Sequence, residues 1–284
     1  MMNSDELLMT NRFNDLRSRA KQWEVSIDRS LETHGSLIGF GSRGGTPLVL
    51  KISKKVGDEW HSGDVLRAFD GDGVVKVYES DGGAVLLERL VPGDELVELV
   101  RRGEDDRATQ ILAQVMRKMA GHEPLTVCPT THDWAGGFDR YLQTNDSQVA
   151  RELVIDTGEL YRRLANSQQR PMLLHGDLQH YNVLFDENRG WVAVDPKGVV
   201  GELEYEVGAI LRNPVEQPEL FTSPLVIERR LRTLTDALDL DYQRALQWSF
   251  AQAVLSAIWD VEDGYAVEPD HHSLKLAQVM SDML

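Results

Sequence analysis

The chain has 284 residues, enough for one large domain or two, and its 42% hydrophobic content supports a buried core. A formal charge of −16 disfavours nucleic acid as a partner, because phosphate backbones select basic faces, and suits a cationic small molecule drawn into a negative cleft. No stretch approaches the roughly 20 apolar residues of a membrane span, Met1 to Leu8 lacks the apolar run of a signal peptide, and the single cysteine, Cys128, forms no internal disulfide, so a cytoplasmic location is expected.

Ser4 to Trp23 reads as an amphipathic helix with Leu8, Phe13, Leu16 and Ala20 on its inner stripe. Val25 to Ser53 reads as β-structure: a strand over Gly35–Gly41, a turn at Ser42-Arg43-Gly44-Gly45 and a strand from Pro47 to Ile52. Lys51 interrupts the apolar run Leu48-Val49-Leu50-Lys51-Ile52, so it lies on an exposed edge or points at something anionic. Lys54 to Phe69 looks helical, and Val74–Tyr78 and Ala84–Leu90 look like strands around a turn at Ser80-Asp81-Gly82-Gly83. Asp94 to Arg102 and Asp105 to Gly121 read as helices, the second with Ile111, Leu112, Val115 and Met119 as its core face. Leu125 to Phe138 is loop-like, and Asp133-Trp134 within it either lines an acceptor site or anchors the loop. Ser147 to Asn166 is a further helix.

The stretch Leu173 to Gly201 carries the chemistry. His175-Gly176-Asp177 follows the apolar pair Leu173-Leu174, and Asn182 opens the run Val183-Leu184-Phe185. After a polar turn from Asp186 to Gly190, a second apolar run, Trp191 to Val194, ends in Asp195 and Pro196-Lys197-Gly198. A hairpin here returns Asp195 to the mouth where Asp177 and Asn182 stand. Asp195 and Asn182 then offer hard oxygens of the kind that hold Mg²⁺ beside phosphates, with Asp177 a separate carboxylate for an attacking hydroxyl. Beyond the hairpin, Glu202, Glu204 and Glu206 surround Leu203 and Tyr205, and Leu211-Arg212-Asn213-Pro214 closes a helical turn. Ser223–Leu238, Tyr242–Asp263 and Ser273–Leu284 read as helices. In the second of these, Trp259-Asp260-Val261-Glu262-Asp263 sets an aromatic ring beside acids, a pattern that binds a guanidinium or ammonium or merely ends a helix.

The stretch resembles the phosphotransferase form of the kinase catalytic loop, H-G-D-x-x-x-x-N. Its tail, Trp191 to Glu202, resembles the G-W-x-x-x-D-P-x-G-x-x-G-E signature of the aminoglycoside/hydroxyurea kinase family, which includes streptomycin 6-kinases. The match is closest over residues 172–214, and the order of elements agrees over most of the chain. Gln179 and Lys197 depart from the usual pattern, and both border the site.

The resemblance implies an α+β, protein-kinase-like two-lobe fold, with a small β-rich N-lobe over 1–92 and a larger, mostly helical C-lobe over 93–284. It implies Asp177 as the catalytic carboxylate and Asn182 and Asp195 as Mg²⁺ ligands. Lys51 would contact ATP phosphates, with Glu59 as its partner, and Gly35 and Ser36 would lie in the phosphate-covering loop. Glu88 and Leu90 fall where an adenine ring pairs with backbone groups. Trp259, Asp260, Glu202 and Asp133 are the candidate acceptor contacts, Glu202 also being placed to orient the metal loop. The implied reaction moves the γ-phosphoryl group of ATP to a hydroxyl of a cationic, streptomycin-like acceptor. Its rivals are a kinase for an ordinary alcohol or sugar, a metal-dependent phosphohydrolase built on His175, Asp177, His180, Asn182 and Asp195, and a nucleotide-binding protein without catalysis.

Overall fold

The computed structural model describes residues 15–33, 35–54, 57 and 60–284. Its N-terminal part is an antiparallel sheet of β1 (Ser26–Glu32), β2 (Ser36–Arg43), β3 (Thr46–Ser53), β4 (Val77–Asp81) and β5 (Ala84–Glu88), in spatial order β1-β2-β3-β5-β4. Alternation along β3 sorts its side chains between two environments. Leu48 and Leu50, with Ile52, pack beneath helical residues 15–22 against Leu16 and Ala20. Val49 and Lys51 take the opposite face, where their register partners are Leu87 and Val85 of β5. A lysine in the middle of a central strand is thereby buried to 5% exposure and directed at the rest of the molecule.

Two expectations for this half are corrected. The strand expected over Val74–Tyr78 starts at Val77, while Val74 bridges Ala193 in parallel and Val75 N donates to Ala193 O (2.9 Å). The helix expected over Lys54–Phe69 is described only as α1 (Ser62–Ala68). The expected partner Glu59 lies outside the described residues, as do Leu8, Phe13 and the first part of the N-terminal helix.

The chain then enters β6 (Pro92–Glu95), whose last two residues, Asp94 and Glu95, the sequence assigns to the start of a helix. Pro92 pairs with Asp186 and Glu95 with Leu184, and Leu96 N donates to Val183 O (2.8 Å). Pairing with a strand far along the chain overrides the local helical pattern, which survives as α2 (Val97–Arg101). Next come α3 (Asp105–Met119), the short α4 (Thr131–Trp134), α5 (Gly136–Gln143) and α6 (Arg151–Asn166). The catalytic segment contributes β7 (Met172–Leu174), β8 (Val183–Asp186), β9 (Gly190–Ala193) and β10 (Val199–Gly201), paired as β6-β8-β9 and β7-β10. Then follow α7 (Leu203–Leu211), α8 (Pro218–Phe221), α9 (Pro224–Leu238), α10 (Tyr242–Glu262) and α11 (His272–Met283).

Helix α10 is buried along most of its length and is the post of this half. It crosses α7 closely because Gly208 has no side chain there: a Cβ would lie 2.6 Å from Gln252 Cδ. Tyr161, Tyr205 and Trp248 fill the space between α6, α7 and α10, the rings of Tyr161 and Tyr205 standing edge-on to Trp248 at 4.9 and 5.0 Å. A buried ion pair completes the frame. Arg230 of α9 binds Asp105 of α3 (Nη2–Oδ1, 2.6 Å) and donates to Ile210 O (3.2 Å) and Asn213 O (2.7 Å), which fixes the end of α7.

Candidate active site

Asp177 sits in the loop after β7, and the backbone around it is held from three directions. Gly176 has φ +81°, a left-handed conformation that glycine adopts without a Cβ penalty, and this turns the chain out of β7. Glu206 of α7 reaches back to accept Gly176 N (3.1 Å to Oε1, 3.2 Å to Oε2) and Leu178 N (3.2 Å), so it grips both neighbours of Asp177. Asp177 N donates to His175 Nδ1 (3.3 Å), and that assigns the imidazole proton to Nε2, which donates to Val194 O (2.8 Å). His175 thus ties the Asp177 loop to the residue before Asp195.

The carboxylate of Asp177 meets two partners. Asn182 Nδ2 donates to its backbone oxygen (2.8 Å) and to Oδ2 (3.3 Å), while Arg212 Nη2 lies 3.3 Å from Oδ1. Asn182 O accepts Val194 N (2.9 Å), which sets Asn182 beside the loop of Asp195. Asp195 adopts φ +58°, unusual for a non-glycine residue. Its Oδ1 lies 2.9 Å from Nζ of Lys51. The structure therefore joins Lys51 to Asp195 across the cleft, and Asp195 through Val194 to Asn182 and Asp177. Of these, Lys51 is buried and the carboxylates are partly open.

The crossover between the sheet and the helical part is organised by Asp186, whose Oδ2 accepts Val91 N (3.0 Å) while Val91 O accepts Glu187 N (2.9 Å). These bonds pin the crossover that contains Glu88 and Leu90. The carboxylate of Glu88 is taken by Lys76 N (2.8 Å) and by the guanidinium of Arg189. Ser36 is 1% exposed at the start of β2, its N donating to Thr33 Oγ1 (3.0 Å), and Gly35 O accepts Lys54 N (2.8 Å). Both therefore lie at the β1–β2 turn, on the sheet that carries Lys51.

The four candidate acceptor contacts separate. Asp133 and Trp259 line one cleft of about 460 Å³, with Pro129, Trp134, Arg140, Lys197, Glu262 and Asp263. Trp134 and Trp259 meet edge-to-face at 5.7 Å, and Trp134 also packs on Gly176, beside Asp177. Lys197 holds its ammonium 5.8 Å from the Trp259 ring, and Arg140 binds Glu262 (2.8 and 3.1 Å). One oxygen of Asp133 caps α4 by accepting Thr130 N (2.7 Å), which holds its carboxyl below the usual range. Asp260 does not line that cleft; His271 Nε2 lies 3.6 Å from its Oδ2, and burial pushes its carboxyl up. Glu202 turns inward at 5% exposure and is bound by Trp248 Nε1 and Arg244 Nε. It caps the fold between α6, α7 and α10 and does not line the cleft.

Glu206, Arg212 and the bridging role of His175 were not anticipated. The available signal was a third acid within the otherwise apolar run of α7, and an arginine at that helix's end. The phosphohydrolase alternative loses its ligands: both nitrogens of His175 are engaged by backbone atoms, and His180 is fully buried beside Arg230 and Asp105, where burial first and Arg230 next push its pKa down to about 3. Gln179 shapes the loop, its Oε1 accepting Tyr181 N (2.7 Å) and its backbone oxygen Asn182 N (3.0 Å).

Known proteins resemble this chain. The chain is 30% identical over 249 residues to a streptomycin 3''-kinase from Klebsiella pneumoniae, covering 86% of this chain and 91% of that protein. It is 28% identical over 263 residues to a streptomycin 6-kinase from Streptomyces griseus, covering 86% and 81%, and 30% identical over 244 residues to a hydroxyurea phosphotransferase from Kitasatospora aureofaciens, covering 83% and 68%. Among solved structures, the aminoglycoside phosphotransferase APH(4)-Ia with ADP and hygromycin B superposes with a TM-score of 0.66 at 16% identity, covering 93% of this chain and 97% of that one. The choline kinase LicA from Streptococcus pneumoniae does so with a TM-score of 0.64 at 14% identity, covering 95% and 97%, and these two likenesses establish the kinase-like fold. The family model of the aminoglycoside/hydroxyurea antibiotic resistance kinases matches residues 22–264, and with the Asp177–Asn182–Asp195–Lys51 arrangement in place the chain belongs to that family and is a phosphotransferase.

Proposed function

We propose that the chain transfers the γ-phosphoryl group of ATP to a hydroxyl of a streptomycin-like aminocyclitol. The observation that carries this is the Lys51–Asp195 pair, 2.9 Å apart, closing the same cleft in which Asn182 is bonded to Asp177. Residues 1–92 serve as the nucleotide-binding lobe and 93–284 as the catalytic and acceptor-binding lobe, and the protein works in the cytoplasm.

Lys51 holds the nucleotide phosphates. The crossover at Glu88 to Leu90 offers backbone groups to the adenine, since the carboxylate of Glu88 is committed to Arg189. Gly35 and Ser36 stand at the turn that would cover the phosphates. Asp195 and the amide oxygen of Asn182 would hold Mg²⁺. The donor set fits that ion, because both are hard oxygens and the nearby imidazole of His175 is already engaged. Mg²⁺, when bound, neutralises phosphate charge.

Asp177 accepts the hydrogen bond of the acceptor hydroxyl and aims its oxygen at the phosphorus. Each of its carboxylate oxygens carries two lone pairs, so contacts to Asn182 and Arg212 leave room for a third donor. Asn182, Glu206 and His175 keep that carboxylate in position. The acceptor enters beside Trp134 and Trp259, with Asp133 at the rim. A guanidinium or ammonium group would replace Lys197 over the Trp259 ring. The two streptomycin kinases among the relatives, each aligned over 86% of this chain, support this class of acceptor.

The test is a phosphate-transfer screen with mass detection, using streptomycin and other aminocyclitols, hydroxyurea, amino alcohols and sugars, with Asp177→Asn as control. Streptomycin should gain one phosphoryl group with the parent chain and none with the variant. Turnover only on amino alcohols or sugars would reject the antibiotic acceptor, and no turnover on any compound would reject the whole proposal.

A further inference from the structure

Asp260 lies near the end of α10, and His271 and His272 open α11. Ten residues lie between Asp260 and His271 in sequence, yet the packing of α10 against α11 gathers one carboxylate oxygen and two imidazole nitrogens within 4.8 Å of one another. His271 Nε2 and Asp260 Oδ2 are already 3.6 Å apart. A tetrahedral zinc ion with bonds of about 2.0–2.1 Å holds its donors about 3.4 Å apart, so small side-chain rotations complete the set. We infer that Asp260, His271 and His272 bind one transition-metal dication of the zinc class.

Three observations support the inference. All three residues are partly exposed, which leaves an entry path and an open position for water. The two imidazoles are held by packing: their rings are 4.1 Å apart at 36°, and His272 stands edge-on to Phe221 at 6.0 Å. Two imidazoles with one carboxylate suit zinc, cobalt or nickel and not Mg²⁺, which prefers the oxygens of Asn182 and Asp195.

His271 also caps α11, its Nδ1 accepting Ser273 N at 3.4 Å. That bond is at the long limit. Ligation through Nε2 moves the ring proton to Nδ1 and releases Ser273 N, so the ion replaces a weak cap with two metal–ligand bonds across the helix pair.

The experiment is a calorimetric titration of tag-free chain with ZnCl₂ in excess Mg²⁺, without nucleotide or acceptor, so that its failure is distinct from failure of the kinase reading. CoCl₂ absorption spectra report imidazole ligation in parallel. The parent and Asp195→Asn should each bind one ion per chain, while Asp260→Asn and His272→Ala should bind it at least about tenfold more weakly. His271→Asn keeps an oxygen for the helix cap and removes the ligand, and it should be equally weakened even if His272→Ala fails to fold. Absence of saturable binding by the parent, or parent-like binding by His271→Asn, would overturn the site.

Discussion

Replacing Glu206 with glutamine probes how the catalytic loop is held. Glu206 is 3% exposed, and its two oxygens accept the peptide N–H groups of Gly176 and Leu178 on either side of Asp177. Oε1 accepts both donors, so a glutamine with its oxygen at that position keeps both contacts, but its NH₂ group replaces Oε2 against Gly176 N and the remaining bonds lose their charge assistance, about 1.5–3 kcal/mol. An opposing effect partly cancels this. Burial, more than its other surroundings, pushes the Glu206 carboxyl above its ordinary range, so carrying a charge there already disfavours folding. Global stability should therefore change by no more than about 2 kcal/mol. Activity should not be spared, because the backbone on both sides of Asp177 is held less tightly by a neutral amide, and a displacement of about 1 Å costs on the order of 10²-fold in rate.

The pH dependence has a defined sign. A carboxyl raised in the folded state contributes its full share of stability only below its unfolded pKa, about 4.3, and that share is lost as pH rises through the folded value. The melting temperature of Glu206→Gln should thus improve relative to the parent between about pH 4 and pH 8. Steady-state ADP release at saturating ATP and acceptor, with thermal melts across that range, measures both effects. A kcat within about twofold of the parent, or a melting gap that does not change with pH, would refute this account of Glu206.

Three further outcomes are expected. Lys51→Ala removes the ammonium 2.9 Å from Asp195 and should lower kcat/KM for ATP by about 10²-fold or more; Lys51→Arg should not restore it, because a planar guanidinium does not substitute for a compact ammonium in a buried site, and initial rates against ATP concentration decide this. Asp105→Ala strands Arg230, which is 1% exposed, and should cost about 3–5 kcal/mol in urea unfolding. Burial alone would raise the Asp105 carboxyl, but hydrogen bonds and charge from Arg230 and then Arg229 outweigh it and leave it below the ordinary value; the parent's extra stability is present above about pH 3.9 and lost as pH falls through the folded pKa, and the variant should lack that acid loss. Cys128 is buried and its thiol is pushed up to about 11, so iodoacetamide at about pH 8 should label it only after denaturant is added, as read by intact mass.

The residues proposed to do the chemistry were legible in sequence as one cluster, and the groups that hold them were not. Asp177, Asn182 and Asp195 must leave the backbone at set intervals to meet at one mouth, so residue type and spacing are both constrained. Lys51 was legible because a charge inside a period-2 apolar strand has only two faces to choose from. Orientation needs only a donor or acceptor arriving from any direction. Glu206 arrives from α7, and Arg212 from the end of the same helix. Neither carries a local signature, and Glu202, with the same chemistry four residues earlier, is instead captured by Trp248 and Arg244. The error at β6 has the same origin: Pro92 to Glu95 becomes a strand only because β8 lies beside it. The Thr130–Asp133 capping box could have been found from its spacing alone, since both partners lie within one turn. What separates the two groups is whether the residue that decides the outcome is near in sequence. Lys51 on β3 and Asp195 in the loop after β9 are the exception: the sequence named Glu59 as the partner of Lys51, yet it assigned Lys51 and Asp195 to one site because phosphate binding requires a cation opposite the metal ligands, a chemical constraint that operates over any distance along the chain.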